Sequence, residues 1–137
     1  MIKGVKHVGI ATRSIAVTSE FYRLLGLVVD RTEILRKEGV KVATLRAGET
    51  SIKLLEPLDE KGPVAKFLES RGEGIYHLAL VVENLNEVLD RLRKANVKML
   101  EERIGEETDG LRMVFIHPHS TGGVLLALCE CPQESAP

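Results

Sequence analysis

Neither sign of charge is in excess. Nineteen lysines and arginines stand against twenty aspartates and glutamates, a formal net charge of −1. That balance argues against the basic groove of a nucleic-acid binder and the polybasic patch of a membrane-surface protein. No apolar run approaches the ~20 residues that span a bilayer, and the N-terminus lacks the basic stretch and apolar segment of a secretory leader. The expectation is a soluble, cytoplasmic protein with no nucleic-acid and no membrane partner. Cysteine is nearly absent, with Cys129 and Cys131 the two present. One residue apart on an expected strand, they share a face without reaching disulfide geometry, so reduced thiols are expected. At 137 residues the chain suits a single domain, 1–137, with a sizeable core.

What the chain does contain is an internal repeat. Lys6-His7-Val8-Gly9-Ile10-Ala11 is matched by Tyr76-His77-Leu78-Ala79-Leu80-Val81, with the histidines 70 residues apart. A repeat of this size governs the fold. The first module, 4–56, reads as a strand to Ala11, a helix capped by Ser14 and stopped by Gly26, then three strands. Ile15, Phe21, Leu24 and Leu25 are the expected apolar face of that helix. A connecting stretch, 57–74, carries Pro57, Gly62 and Pro63, with Pro63 suited to open a helix that ends near Gly72. The second module, 75–130, repeats the pattern. Asn84 with Glu87 forms its helix start, and Leu85, Val88, Leu89 and Leu92 share one side of the helix. Strand-helix-strand-strand-strand, twice, predicts an α+β fold: paired βαβββ modules in one curved eight-stranded sheet around a central cup.

Aligning the halves also pairs Lys53 with Ala127, 74 residues apart on the closing strand of each module. Two histidines plus two inward residues from closing strands form the framework of a four-point site. With oxygen donors at the closing positions it would suit a divalent first-row metal.

Taken in order, several segments resemble the methylmalonyl-CoA epimerase family of the vicinal oxygen chelate (glyoxalase and bleomycin-resistance) superfamily. They are Lys6-His7-Val8-Gly9-Ile10-Ala11, Ile52-Lys53-Leu54-Leu55-Glu56-Pro57, Gly72-Glu73-Gly74-Ile75-Tyr76-His77, Phe115-Ile116-His117-Pro118 and Gly122-Gly123-Val124-Leu125-Leu126. The resemblance implies a homodimer, an acyl-CoA substrate and a divalent metal (cobalt, manganese, zinc or nickel). It also implies a glutamate that removes the α-proton of the thioester and a second acid that returns one. His7 and His77 match the family's metal-binding histidines. Lys53 stands where the family has glutamate or glutamine, Ala127 where it has glutamate, and Val42 where some members place a further catalytic glutamate. Lys53, His117 and His119 are the expected substrate contacts. The chain therefore reads as an epimerase-type isomerase whose metal is weakly bound and whose activity is weak or lost. Two alternatives remain: a metal-free ligand-binding protein of the bleomycin-resistance kind, and another enzyme of the superfamily, a lyase or dioxygenase.

Overall fold

Small polar side chains open both principal helices, where the sequence places them. The computed structural model describes residues 1–104 and 111–130. Its elements are β1 (Ile2–Ala11), α1 (Ile15–Leu24), β2 (Val29–Leu35), β3 (Val40–Ala47), β4 (Thr50–Pro57), α2 (Pro63–Arg71), β5 (Gly74–Val82), α3 (Leu85–Lys94), β6 (Met99–Ile104), β7 (Arg112–Ile116), α4 (Pro118–Thr121) and β8 (Leu125–Glu130). The eight strands are hydrogen-bonded in the order β2-β3-β4-β1-β5-β8-β7-β6, in a mixed sheet of an α+β fold. Contacts divide the chain into two units: His7–His77, and Met1–Lys6 together with the chain from Leu78 onward. The connecting helix α2 thus groups with the first module.

In the His7–His77 unit, the Ser14 hydroxyl accepts from the Val17 N–H at 3.2 Å and so caps α1. A second acceptor comes from far along the chain, where Glu56 Oε1 takes the Ile15 N–H at 2.8 Å. The helix buries Ile15 and Ser19, and Ile15 packs with Ala43, Leu45 and Leu54. This corrects the expected apolar face. Phe21, Leu24 and Leu25 are 57, 84 and 64% exposed, and Val17 and Val28 lie open beside them. Helical geometry explains the result: Ser19 and Tyr22 return to the side of Ile15, while Leu24 falls about 180° away. The opposite sheet face forms a second core layer, with Ala11, Val40, Val42 and Leu55 under Val64 and Leu68 of α2.

The other unit repeats these devices. Asn84 Oδ1 accepts from the Glu87 N–H at 3.2 Å, and Glu130 Oε2 accepts from the Leu85 N–H at 2.5 Å. Gly26 after α1 has a φ of +89°, and Asn96, its counterpart 70 residues on, has a φ of +61°. Both helices therefore stop in the left-handed region, which glycine and asparagine tolerate. Leu85 and Leu89 pack with Val82, Val114, Ile116 and Leu128. The outer faces differ. The repeat sets Val17, Phe21, Leu24 and Val28 against Glu87, Arg91, Lys94 and Lys98. On α3 this surface carries Arg91–Glu87 and Lys94–Asp90 ion pairs at 3.3 and 3.8 Å.

The two long-range caps make a prediction. Glu56→Ala and Glu130→Ala should each lower the unfolding free energy by about 1 kcal/mol, since each strips an acceptor from a helix N-terminus. The glutamine variants should lose less, because an amide oxygen still accepts. Urea unfolding measures this, and alanine variants as stable as the native chain would show that the caps carry no weight.

Candidate functional site

β1 runs parallel to β4, with Gly9 opposite Lys53 and His7 opposite Ser51. β4 runs antiparallel to β3, with Lys53 opposite Thr44 and Leu55 opposite Val42. Register partners share a sheet face, so His7, Gly9, Lys53, Thr44 and Val42 lie on one side. His77, at the start of β5, belongs to the same unit. Its Nε2 lies 2.7 Å from His7 Nε2, with both rings buried and nearly perpendicular. One of the two nitrogens carries the hydrogen and the other accepts it.

Gly9 makes this arrangement possible. A Cβ at position 9 would stand 2.6 Å from His77 Nδ1 and 2.9 Å from its Nε2, so the ring fills the space that any side chain there would need. Glu73 anchors the segment leading into β5. Its carboxylate accepts from the Thr12 hydroxyl at 2.8 Å and the Arg13 N–H at 2.9 Å. These bonds, that of the Arg13 backbone foremost and then that of Thr12, hold the Glu73 carboxyl below the usual carboxylate range.

The other positions are placed as follows. Val42 is buried among Ala11, Val40 and Leu55. Lys53 is half-buried between the neighbours of its own strand pairings. Ala127 is fully buried in the other unit, packed with Ala79, Met113, Phe115 and Cys129. In that unit His117 Nδ1 accepts from the His119 N–H at 2.9 Å and opens α4, with His119 exposed. Cys129 is buried, while Cys131 lies outside the described residues. The sequence reading missed two residues on the His7 face. The Thr44 hydroxyl is buried without a hydrogen-bond partner among the described residues. Glu33 sits opposite Val42 and pairs with Arg31 at 3.1 Å. Strand register alone would have found both.

These residues do not fit a divalent metal. The two imidazoles could supply two ligands, and the closing positions, Lys53 and Ala127, add no metal-binding oxygen or nitrogen. Among the described residues no three His, Cys, Asp or Glu side chains gather around a point. The closing position on β4 holds a lysine. A protonated ammonium repels a divalent cation and offers it no lone pair.

The signature of the Glyoxalase/Bleomycin resistance protein/Dioxygenase superfamily matches residues 6–115. An uncharacterised Bacillus subtilis protein, YqjC, is 37% identical over 125 residues, covering 90% of this chain and 89% of that one. The crystal structure of Mycobacterium tuberculosis methylmalonyl-CoA epimerase is 38% identical, with a TM-score of 0.85 over 96% of this chain and 90% of the other. A methylmalonyl-CoA epimerase in complex with methylmalonyl-CoA and NH4+ is 32% identical, with a TM-score of 0.86 over the whole of both chains. The chain belongs to the glyoxalase, or vicinal oxygen chelate, superfamily, and its fold is that of the methylmalonyl-CoA epimerases within it.

Two outcomes are expected. Gly9→Ala should displace the His77 ring and cost about 1–3 kcal/mol, the usual range for overpacking a filled site. Imidazole NMR signals should show the His7–His77 bond lost, and unchanged signals would mean that the ring is not confined there. Glu73 sets an acid dependence. Because its pKa is depressed in the fold, its contribution is full above the unfolded value of about 4.3 and is lost as pH falls through the lower folded value. Glu73→Gln should therefore flatten the loss of Tm in acid below about pH 4. Parallel native and variant curves would contradict this.

Proposed function

We propose that the chain binds an acyl-CoA thioester and carries out epimerase-type α-proton transfer on methylmalonyl-CoA only slowly. The observation that supports this is the buried histidine pair, read with the residue types at the positions that the family resemblance gives to acids. The His7–His77 pair over Gly9 remains, while Val42, Lys53 and Ala127 occupy the positions where the family resemblance expects oxygen donors. The similarity to epimerases over nearly the whole chain supports the substrate class. One such relative is in complex with methylmalonyl-CoA and NH4+.

Proton abstraction needs a base within about 3 Å of the α-carbon's hydrogen, and losing it costs typically 100- to 10,000-fold in rate. Val42 and Ala127 have no proton acceptor. The carboxylate that β1 to β4 set on the His7 face is Glu33, and it is already paired with Arg31. A second reading, a binding protein that holds the thioester without turning it over, is favoured by the burial of Val42 and Ala127 in apolar clusters.

Loss of α-deuterium from labelled methylmalonyl-CoA tests the proposal. The native chain should exchange at least about 100-fold more slowly than a Val42→Glu, Lys53→Glu, Ala127→Glu variant supplied with cobalt or manganese. Equal, fast exchange in both would refute it. Binding with no exchange at all in the native chain would establish the second reading instead.

A further inference from the structure

We propose that Lys53 is the resident cation of this site: its ammonium binds the anionic oxygen of a carboxylated acyl thioester, and that binding requires no divalent metal. The inference rests on the acyl-CoA reading above and deepens it. Two independent features of the structure carry it, the register of Lys53 and the state of Thr44.

The register puts Lys53 directly between Gly9 of β1 and Thr44 of β3, on the face that carries His7. On one side the lysine stem meets no Cβ, because position 9 is glycine, and the space above that glycine holds the His77 ring. The buried imidazole pair and Lys53 therefore share one sheet face at neighbouring register positions. On the other side Thr44 is 5% exposed, and its hydroxyl is buried with no hydrogen-bond partner among the described residues. A buried hydroxyl left unsatisfied costs free energy that a bound acceptor removes. An ammonium flanked by such a donor suits an oxygen anion, and two donors from adjacent strands suit the two oxygens of a carboxylate.

This chemistry also separates the ligand from its close analogues. A thioester with an additional carboxylate presents an anion that an ammonium can bind, whereas one with a plain alkyl group does not. The same ammonium that attracts the anion opposes a divalent ion at the His7–His77 pair. A single substitution at position 53 should thus change anion affinity and metal dependence in opposite directions.

Calorimetric titration of the full chain in EDTA tests this, with methylmalonyl-CoA and propionyl-CoA as probes. The native chain should bind methylmalonyl-CoA without metal. Lys53→Met should weaken that binding by about 10- to 100-fold, the range for a lost charge-assisted hydrogen bond, and change propionyl-CoA binding by less than about 3-fold. Retained propionyl-CoA binding shows that the variant is folded. Lys53→Arg should recover most of the affinity, and Lys53→Glu should bind methylmalonyl-CoA only when manganese or cobalt is added. Unchanged methylmalonyl-CoA affinity in Lys53→Met would overturn the role of Lys53 while leaving the acyl-CoA reading standing. So would native binding that EDTA abolishes and metal restores. Failure of both thioesters to bind the native chain would overturn the acyl-CoA reading, and the role of Lys53 with it.

Discussion

The hydrogen bond between His7 and His77 exists because Gly9 has no side chain. Residues 70 apart in sequence bring two buried rings to a 2.7 Å contact, and the second ring rests where a Cβ at position 9 would be. Everything else on that face is arranged around this clearance. The parallel pairing of β1 with β4 sets Lys53 beside the glycine, and β3 adds Thr44 beyond it. Glu73, held by Thr12 and Arg13, fixes the approach of the chain to the strand bearing His77. A bulkier residue at position 9 would disturb the ring, the register partners and the entry to β5 together.

The repeat is more faithful in its hydrogen bonding than in its composition. Glu56 and Glu130 each cross from a closing strand to the first N–H of the helix in their own module. Ser14 and Asn84 fill equivalent local caps, and Gly26 and Asn96 equivalent stops. The side chains on the outer faces follow no such rule. One helix shows valine, phenylalanine and leucine to the outside, and the other shows ion pairs. Backbone groups at a helix end must be satisfied whatever the sequence. An exposed face has no comparable demand, so its composition is free to differ.

Local signals in the sequence disclosed most of the elements. Ser14, Asn84, Pro63 and the glycine turns marked the boundaries, and the strand pattern around His7 and His77 marked the repeat. The convergence of the histidines followed from that symmetry. The inward face of α1 did not, because its interior position is taken by Ser19, which no hydrophobic pattern would select. Nor did Glu56 and Glu130, whose partners lie 41 and 45 residues away. The short α4 starts with a histidine cap outside the usual cap residues and was invisible for that reason. At the site, residue types were readable but neighbours were not. Lys53 was conspicuous as a lysine, yet its place between Gly9 and Thr44 is a matter of register across three strands.

Each closing strand also has two duties, on opposite sides. On β4, Lys53 lies on the sheet face of His7, and Glu56, three residues on, turns the other way to hold α1. On β8, Ala127 lies in one cluster and Glu130 reaches from the other side to α3. Because successive strand residues alternate in direction, the two duties never compete for the same side chain. Positions 53 and 127 can hold a lysine and an alanine while the carboxylates that secure the helices stay in place. The architecture thus separates the residues on the histidine face from those that secure its frame, so a change in one leaves the other in place.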